Sequence, residues 1–334
     1  MKRILVIRFR AMGDVLLATP LLRALKRRWP EARVDYLVEE GLSPLLEGSD
    51  DFDRLLAWPR RARPRWLSDL RWALRLRRER YDLLLDLHGN GTSVLFTALS
   101  AAPLRIGYRF RGRHYFYHRK IDRRWPSHLP PAYEPRRHFR LVESLGIQPE
   151  DLRLRLPTAG RGDPFGTGVG LRVLMAPGAT WSAKQWPAEH YGKLADLLTS
   201  IGARVFLMGS AGEQELLSRV AAGSAAKVLP STSIPQMLEA IAAADLLVCT
   251  DSGARHVAVA MDTPSLAIFG PSDPRVWSPE HPRHPTIFKD LECRPCMLTE
   301  CPLKGHPCMN DLTPESVFDR LRGLISSLET ADGS

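Results

Sequence analysis

Several things are missing from this chain, and each absence removes a class of function. No apolar run approaches the roughly 18 residues needed to cross a membrane, so no transmembrane helix is expected. The N-terminus does not read as a secretory signal, because Leu5-Val6-Ile7 is cut short by Arg8 and Arg10 and no small-residue cleavage pattern follows. A cytoplasmic location is therefore expected. The turn after the first apolar run carries neither a G-x-G-x-x-G fingerprint nor a Walker-type lysine, which disfavours an NAD enzyme. There is no recognised nucleic-acid motif, no short-period repeat and no long low-complexity tract. Cysteine is sparse: there are five, and four of them are bunched near the C-terminus.

What is present reads as a two-domain α/β protein. The 334 residues are enough for about two ordinary domains, and 44% hydrophobic content is ample for their cores. Strand-like runs at residues 3–9, 33–38, 54–58, 82–87 and 104–108 alternate with helical patterns such as the one opened by Thr19-Pro20. A Gly- and Pro-rich stretch, residues 157–168, reads as a linker. A second series of runs follows at 171–176, 204–208, 227–229, 246–249, 266–269 and 286–288, with helices near 188–200, 212–222 and 234–244. A last helix over 314–328 has Thr313 as its N-cap. Such alternation argues for two doubly wound, Rossmann-like parallel-sheet domains, 1–156 and 169–313.

The net charge of +10 is concentrated. Arg60, Arg61, Arg63, Arg65, Arg71, Arg75, Arg77, Arg78 and Arg80 crowd one segment, with Trp58, Trp66 and Trp72 among them. A second cluster runs through Arg105, Arg109, Arg111, Arg113, Arg119, Lys120, Arg123, Arg124, Arg136 and Arg137. A basic surface meets nucleic acid, an anionic membrane face or a phosphorylated substrate, or is simply a solvated face. Aromatics interleaved with arginine favour an interfacial role.

Chemistry-bearing residues collect where strands should end and helices begin. Such turns present backbone N–H groups and the positive end of a helix dipole, so they suit anions. Gly13-Asp14 follows Ile4-Leu5-Val6-Ile7; Asp14 there is a cap or a catalytic carboxylate, and the glycine lets another molecule approach the backbone. Residues 176–187, Ala-Pro-Gly-Ala-Thr-Trp-Ser-Ala-Lys-Gln-Trp-Pro, make sense as a phosphate cradle, with Thr180, Ser182 and backbone donors holding one phosphate. Lys184, between Trp181 and Trp186, would neutralise a leaving diphosphate. Asp251, Ser252 and Gly253 supply a further set of contacts, and His256 lies one helical turn along. Glu213, after Gly209-Ser210-Ala211-Gly212, would accept from ribose hydroxyls. Two such turns in two halves suggest two sheets facing one cleft and an enzyme that joins two substrates.

The strings RFRAMGDVLLATPLLRALKRRWP, APGATWSAKQWP, TDSGARHVAVAM and IFGPSDP together resemble the ADP-heptose:lipopolysaccharide heptosyltransferases, glycosyltransferase family 9, over nearly the whole chain. The resemblance implies a GT-B architecture, with the acceptor on the first domain, the nucleotide sugar on the second, and a last helix that crosses back to the first. It implies that Asp14 is the general base and that Thr180 and Lys184 contact the diphosphate. Asp251, Ser252, Gly253 and His256 would contact the sugar nucleotide, and Glu213 the ribose. The expected donor is ADP-heptose. The expected acceptor is an anionic, lipid-linked oligosaccharide with acidic Kdo sugars, met by Gly13, Arg10, Arg75, Arg77 and Arg78 through peripheral contact with the inner membrane. Catalysis is expected to be inverting and to need no cofactor. One departure stands out: Ala179 takes the place of the first of two adjacent threonines found in some members. The alternatives are another donor or a protein acceptor on the same fold, a nucleotide-sugar epimerase of GT-B type, or a basic binding module.

The cysteines pose a separate question. Cys249 lies in a strand and is expected to be buried and inert. Cys293, Cys296, Cys301 and Cys308 have the C-x-x-C spacing and compactness of a four-sulfur structural site for zinc or iron, with His281, His284 or His306 able to replace one thiol. A cytoplasmic enzyme would keep them from forming disulfides. A similar loop occurs in some members of the resembled family, an iron-containing branch among them.

Overall fold

A computed structural model of the chain describes residues 1–110, 112, 114–157 and 162–332. Arg111, Arg113 and the linker residues 158–161 lie outside the described residues. The chain divides into two compact units, Met1–Pro157 and Thr158–Ser334.

The first unit is built on six strands, β1 (Arg3–Ile7), β2 (Arg33–Glu39), β3 (Arg54–Trp58), β4 (Leu83–Asp86), β5 (Leu104–Tyr108) and β6 (Arg119–Ile121). They pair in parallel in the order β3-β2-β1-β4-β5-β6. Its helices are α1 (Met12–Leu17), α2 (Thr19–Arg28), α3 (Arg65–Arg78), α4 (Gly91–Leu99) and α5 (Glu134–His138). The central strands are apolar on both faces because helices cover both: Ile4, Leu5, Val6 and Ile7 are all fully buried. Each such aliphatic side chain contributes about 1.5–3 kcal/mol through its removal from water. The arginine-rich segment is itself an amphipathic helix, α3, whose Ala73 and Leu76 join Phe9, Trp58 and Phe96 in the core. β6 escapes a reading by apolar runs, since Arg119-Lys120-Ile121 is an exposed, charged edge.

The second unit repeats the plan. Its strands are β7 (Arg172–Ala176), β8 (Arg204–Leu207), β9 (Lys227–Val228), β10 (Leu246–Thr250), β11 (Ser265–Phe269) and β12 (Thr286–Phe288), parallel in the order β12-β11-β10-β7-β8-β9. Its helices are α6 (Ala188–Ser200), α7 (Gln214–Ala221), α8 (Ile234–Ala243), α9 (Gly253–Met261), α10 (Pro274–Trp277), α11 (Pro307–Asn310) and α12 (Pro314–Asp332). Numbered within its own unit, each sheet has the Rossmann order 3-2-1-4-5-6, which reverses direction between the first strand and the fourth. The last helix is anchored in the second unit. It packs on α6, and its Val317, Leu321 and Leu324 belong to the core of the second unit.

Candidate functional site

In open parallel sheets, ligands gather beyond the C-terminal strand ends at the point where strand order reverses. In the first unit that point lies between β1 and β4, and Asp14 stands there. Asp14 is the third residue of α1, and its Oδ2 accepts the Ala11 N–H at 3.0 Å, so it does cap the helix. Its other oxygen is held by Arg8 at 2.5 Å. Arg8 is buried and also donates to the Leu87 carbonyl at 2.5 Å, tying the ends of the two central strands together. Burial alone would raise the Asp14 carboxyl, but the Arg8 charge and the Ala11 N–H outweigh it and hold the group below the ordinary carboxylate range. Asp14 is thus an ionised, partly exposed carboxylate with a fixed orientation. Arg8 is its unforeseen partner; in sequence it looked only like a charge that interrupts an apolar run.

His88 follows Leu87, and its ring packs on Phe9 with centroids 5.1 Å apart. Burial, helped by Arg8 and Arg10, pushes it down to about 4, so it is neutral at physiological pH. Its turn is locked by Asp86, which accepts the N–H groups of His88 and Gly89 at 2.9 Å each and the Tyr117 hydroxyl at 2.7 Å. Gly13 is buried beneath Asp14, while Arg10 is exposed beside it. Arg75, Arg77 and Arg78 are exposed on α3.

In the second unit the reversal lies between β7 and β10, and most of the remaining residues singled out in sequence meet there. Lys184 follows β7 in a short 3-10 turn, Ser182–Lys184, and Asp251 follows β10. The Lys184 ammonium donates to Asp251 Oδ2 at 2.6 Å and lies 4.5 Å from the Trp181 ring centre. Trp186 does not flank it; that indole is buried and donates to the Leu312 carbonyl. The same Asp251 oxygen accepts Ser272 Oγ at 2.5 Å. Ser272 comes from the turn of the IFGPSDP string, whose role was not legible in sequence. Ser252 is the N-cap of α9 without using its side chain as a cap, which leaves it and Gly253 at an open helix start. His256 is buried within the first turns of that helix. Thr180 is exposed beside the cradle.

Glu213 packs against the cradle from the end of β8. Its carboxylate accepts Ser210 N and Oγ at 2.7 Å each. A side chain on Gly178 would meet Glu213 Oε1 at 1.7 Å, so glycine is what lets this acid lie against the β7 turn. Ser182 Oγ does not point free toward a ligand here; it donates to the Thr299 carbonyl at 3.2 Å, as does Ala183 N at 3.0 Å. His306 Nε2 donates to the Ala183 carbonyl at 3.0 Å. The cysteine-rich segment therefore braces the Lys184 turn. Arg294 reaches the opposite side through the carbonyls of Gly270 and Ser272.

The metal expectation meets a correction. All five cysteines are free thiols. Cys293, Cys296, Cys301 and Cys308 do line one small apolar pocket with His306. Yet among the described residues no three His, Cys, Asp or Glu side chains converge closely enough to hold a metal ion. The Cys308 thiol is pushed up to about 11 by burial and then by the neighbouring Cys301. His284 is spent on Ser265 Oγ, and burial pushes it down to about 3. Cys249 is fully buried, with its thiol pushed up to about 12. A D-x-D string, Asp51-Phe52-Asp53, lies at none of these strand ends. Its carboxylates are engaged by Arg23 at 2.7 Å and by Lys26 at 2.9 Å.

Among the described residues, no helix is long and apolar enough to cross a membrane. Comparison with known proteins adds the last finding. Residues 70–306 match the model of "Glycosyltransferase family 9 (heptosyltransferase)". Lipopolysaccharide heptosyltransferase 1 of Pseudomonas aeruginosa is 28% identical over 98% of this chain and 99% of its own length. The structure of the Escherichia coli ADP-heptose lps heptosyltransferase II superposes with a TM-score of 0.79 at 25% identity, covering 98% of this chain and 100% of that one. A family 9 glycosyl transferase from Veillonella parvula gives 0.82 at 20% identity, with 98% of both chains covered.

Proposed function

Because the chain belongs to glycosyltransferase family 9 and is a transferase enzyme, we propose that it moves a heptose from ADP-heptose to a sugar of the lipopolysaccharide inner core, with inversion at the anomeric carbon. The observation that carries the reading is the placement of Asp14 and Lys184, each at the reversal point of its own sheet. The first unit supplies the acceptor's base and the second the donor's contacts. Asp14 takes the proton of the acceptor hydroxyl as that oxygen bonds to the anomeric carbon. The bond from that carbon to the diphosphate breaks with its electron pair, and ADP departs. An ammonium has three N–H groups. One of those on Lys184 goes to Asp251, and the others serve the diphosphate with the open N–H groups of α9. Glu213, held by Ser210 beside Gly178, accepts from ribose hydroxyls, and Thr180 and Ser252 add hydroxyl donors. Gly13 and Arg10 border the acceptor, whose acidic groups also meet Arg75, Arg77 and Arg78. The names of the relatives support the donor and acceptor, and family membership sets the transferase reading above an epimerase or a plain binding module.

The test is calorimetric binding of ADP-heptose, UDP-glucose, GDP-mannose and ADP to the wild type and to Lys184→Ala. Lys184-dependent binding of ADP-heptose and ADP alone supports the donor, and preference for another nucleotide overturns it. NMR of the product with a core acceptor then reports the anomeric configuration; retention would sink the single-displacement mechanism.

A further inference from the structure

His88 stands at the same strand reversal as Asp14, and no step of the proposed transfer uses it. β1 and β4 run side by side with Ile7 paired to Asp86, and the Leu87 N–H donates to the Ile7 carbonyl at 3.0 Å. One residue on, the His88 ring lies against Phe9, which itself stacks on Trp58 with ring centres 4.6 Å apart. The Arg8 guanidinium bridges the two strand ends. One of its nitrogens holds Asp14 and another holds the Leu87 carbonyl, next to His88. The expected base and the imidazole are thus fastened to one planar, rigid fork. They are close enough for the Asp14 charge to act on the ring.

The turn that carries His88 is fixed on every side. Asp86 is wholly buried and holds the N–H groups of His88 and Gly89. Gly89 has φ +68°, and a Cβ there would fall 2.0 Å from the Phe110 ring, so glycine lets Phe110 close over the turn. Asn90 caps α4 through the Ser93 N–H at 2.8 Å, and the Ser93 hydroxyl donates to the Asn90 carbonyl at 3.1 Å. Thr92 accepts from Arg65 at 3.0 Å. Among the described residues, every polar side chain from Asp86 to Ser93 is engaged within the fold except that of His88, whose Nδ1 is buried with no hydrogen-bond partner. An unpartnered buried nitrogen costs stability, and Leu or Met would pack on Phe9 without that cost. The imidazole therefore calls for a partner from outside the fold. Burial first, and the Arg8 charge next, keep the half-buried ring neutral, with one N–H donor and one acceptor nitrogen. That pairing suits a hydroxyl, which donates and accepts at once, better than it suits an anion.

We propose that His88 is a specificity-determining residue of the acceptor site: its imidazole hydrogen-bonds a second hydroxyl of the acceptor sugar and so turns the attacking hydroxyl toward Asp14. The assignment rests on the heptosyl-transfer reading and deepens it. The experiment measures kcat/KM with ADP-heptose and a lipid A core acceptor ending in Kdo or in heptose. Beside it run analogues that each lack one non-reacting hydroxyl of the terminal sugar, for the wild type, His88→Phe and His88→Gln. The wild type is expected to disfavour one analogue about tenfold or more, since a site built to bond a hydroxyl rejects the molecule that lacks it. His88→Phe keeps a ring on Phe9 and should lose about tenfold on the complete acceptor, bringing it level with that analogue. His88→Gln keeps a donor and an acceptor and should restore part of the preference. Circular dichroism and ADP binding by calorimetry should be the same in all three proteins. A wild type indifferent to every single deoxygenation, or a His88→Phe variant that retains the wild-type preference, overturns the proposal and leaves the transfer reading standing. A wild type that transfers to neither complete acceptor overturns the transfer reading and this assignment with it.

Discussion

The Lys184 ammonium and the Asp251 carboxylate stand 2.6 Å apart, joining the ends of β7 and β10 where the second sheet reverses its strand order. Asp251 is almost wholly buried, and Lys184 is the more accessible partner. The pair holds the lysine at that strand end, where the proposed function needs it to meet an anionic leaving group. Such preorganisation is the main electrostatic lever of transfer enzymes.

Removing one partner of a buried pair leaves the other uncompensated, at about 3–5 kcal/mol. Lys184→Met is therefore expected to destabilise the fold through Asp251, and adding Asp251→Asn should recover part of the loss. Urea denaturation of both singles and the double checks this, and additive losses would disprove the coupling. Donor binding should be lost in all three.

Asp14→Asn retains an oxygen to accept the Ala11 N–H but cannot take a proton. Turnover is expected to fall by about 10²–10⁴-fold, with circular dichroism unchanged. Loss of less than tenfold would reduce Asp14 to a helix cap.

The pH profile follows from Arg8. Because Arg8 and the Ala11 N–H hold the Asp14 carboxyl low, wild-type activity should persist on acidification until the pH falls through that lowered value. The stabilisation linked to Asp14 has the same sign: it is present above the carboxyl's unfolded pKa and is lost as pH falls through the folded one. Arg8→Gln should move the acid limb of kcat/KM to higher pH. An unmoved limb would mean that another group sets it.

Gly178→Ala should displace Glu213, since the new methyl and Oε1 cannot share 1.7 Å. We expect Kd for ADP to rise about tenfold, the cost of roughly one charged hydrogen bond, with ADP calorimetry as the measurement. Unchanged affinity would remove Glu213 from the ribose site.

The cysteine-rich segment should act as a brace rather than a metal clasp. Metal analysis of protein purified without chelators is expected to find zinc and iron well below one per chain, and His306→Ala should raise the donor KM several-fold by freeing the Ala183 carbonyl. A full equivalent of tightly held metal would reverse this reading.

The sequence by itself determined the two parallel sheets and most of the strand-end residues, because continuous apolar runs alternating with amphipathic ones admit few other arrangements. The strand-end positions of Asp14, Lys184 and Asp251 were legible because an apolar run followed by a turn and a helical pattern marks where a strand stops. Tertiary structure alone decided how these groups are paired. Arg8 reaches Asp14 and Leu87, Ser272 reaches Asp251, and Thr299 and His306 hold the Lys184 turn, all through contacts between strand ends and loops distant in sequence. It also decided that α12 packs on α6 and that four closely spaced cysteines, though they line one pocket, do not form a metal-holding group among the described residues. Spacing along a chain sets which thiols can meet, but the direction of each side chain is fixed by the backbone around it. The amphipathic helix α3 shows the same division: its period is written in the sequence, while which face turns outward was settled by the core that Ala73 and Leu76 fill.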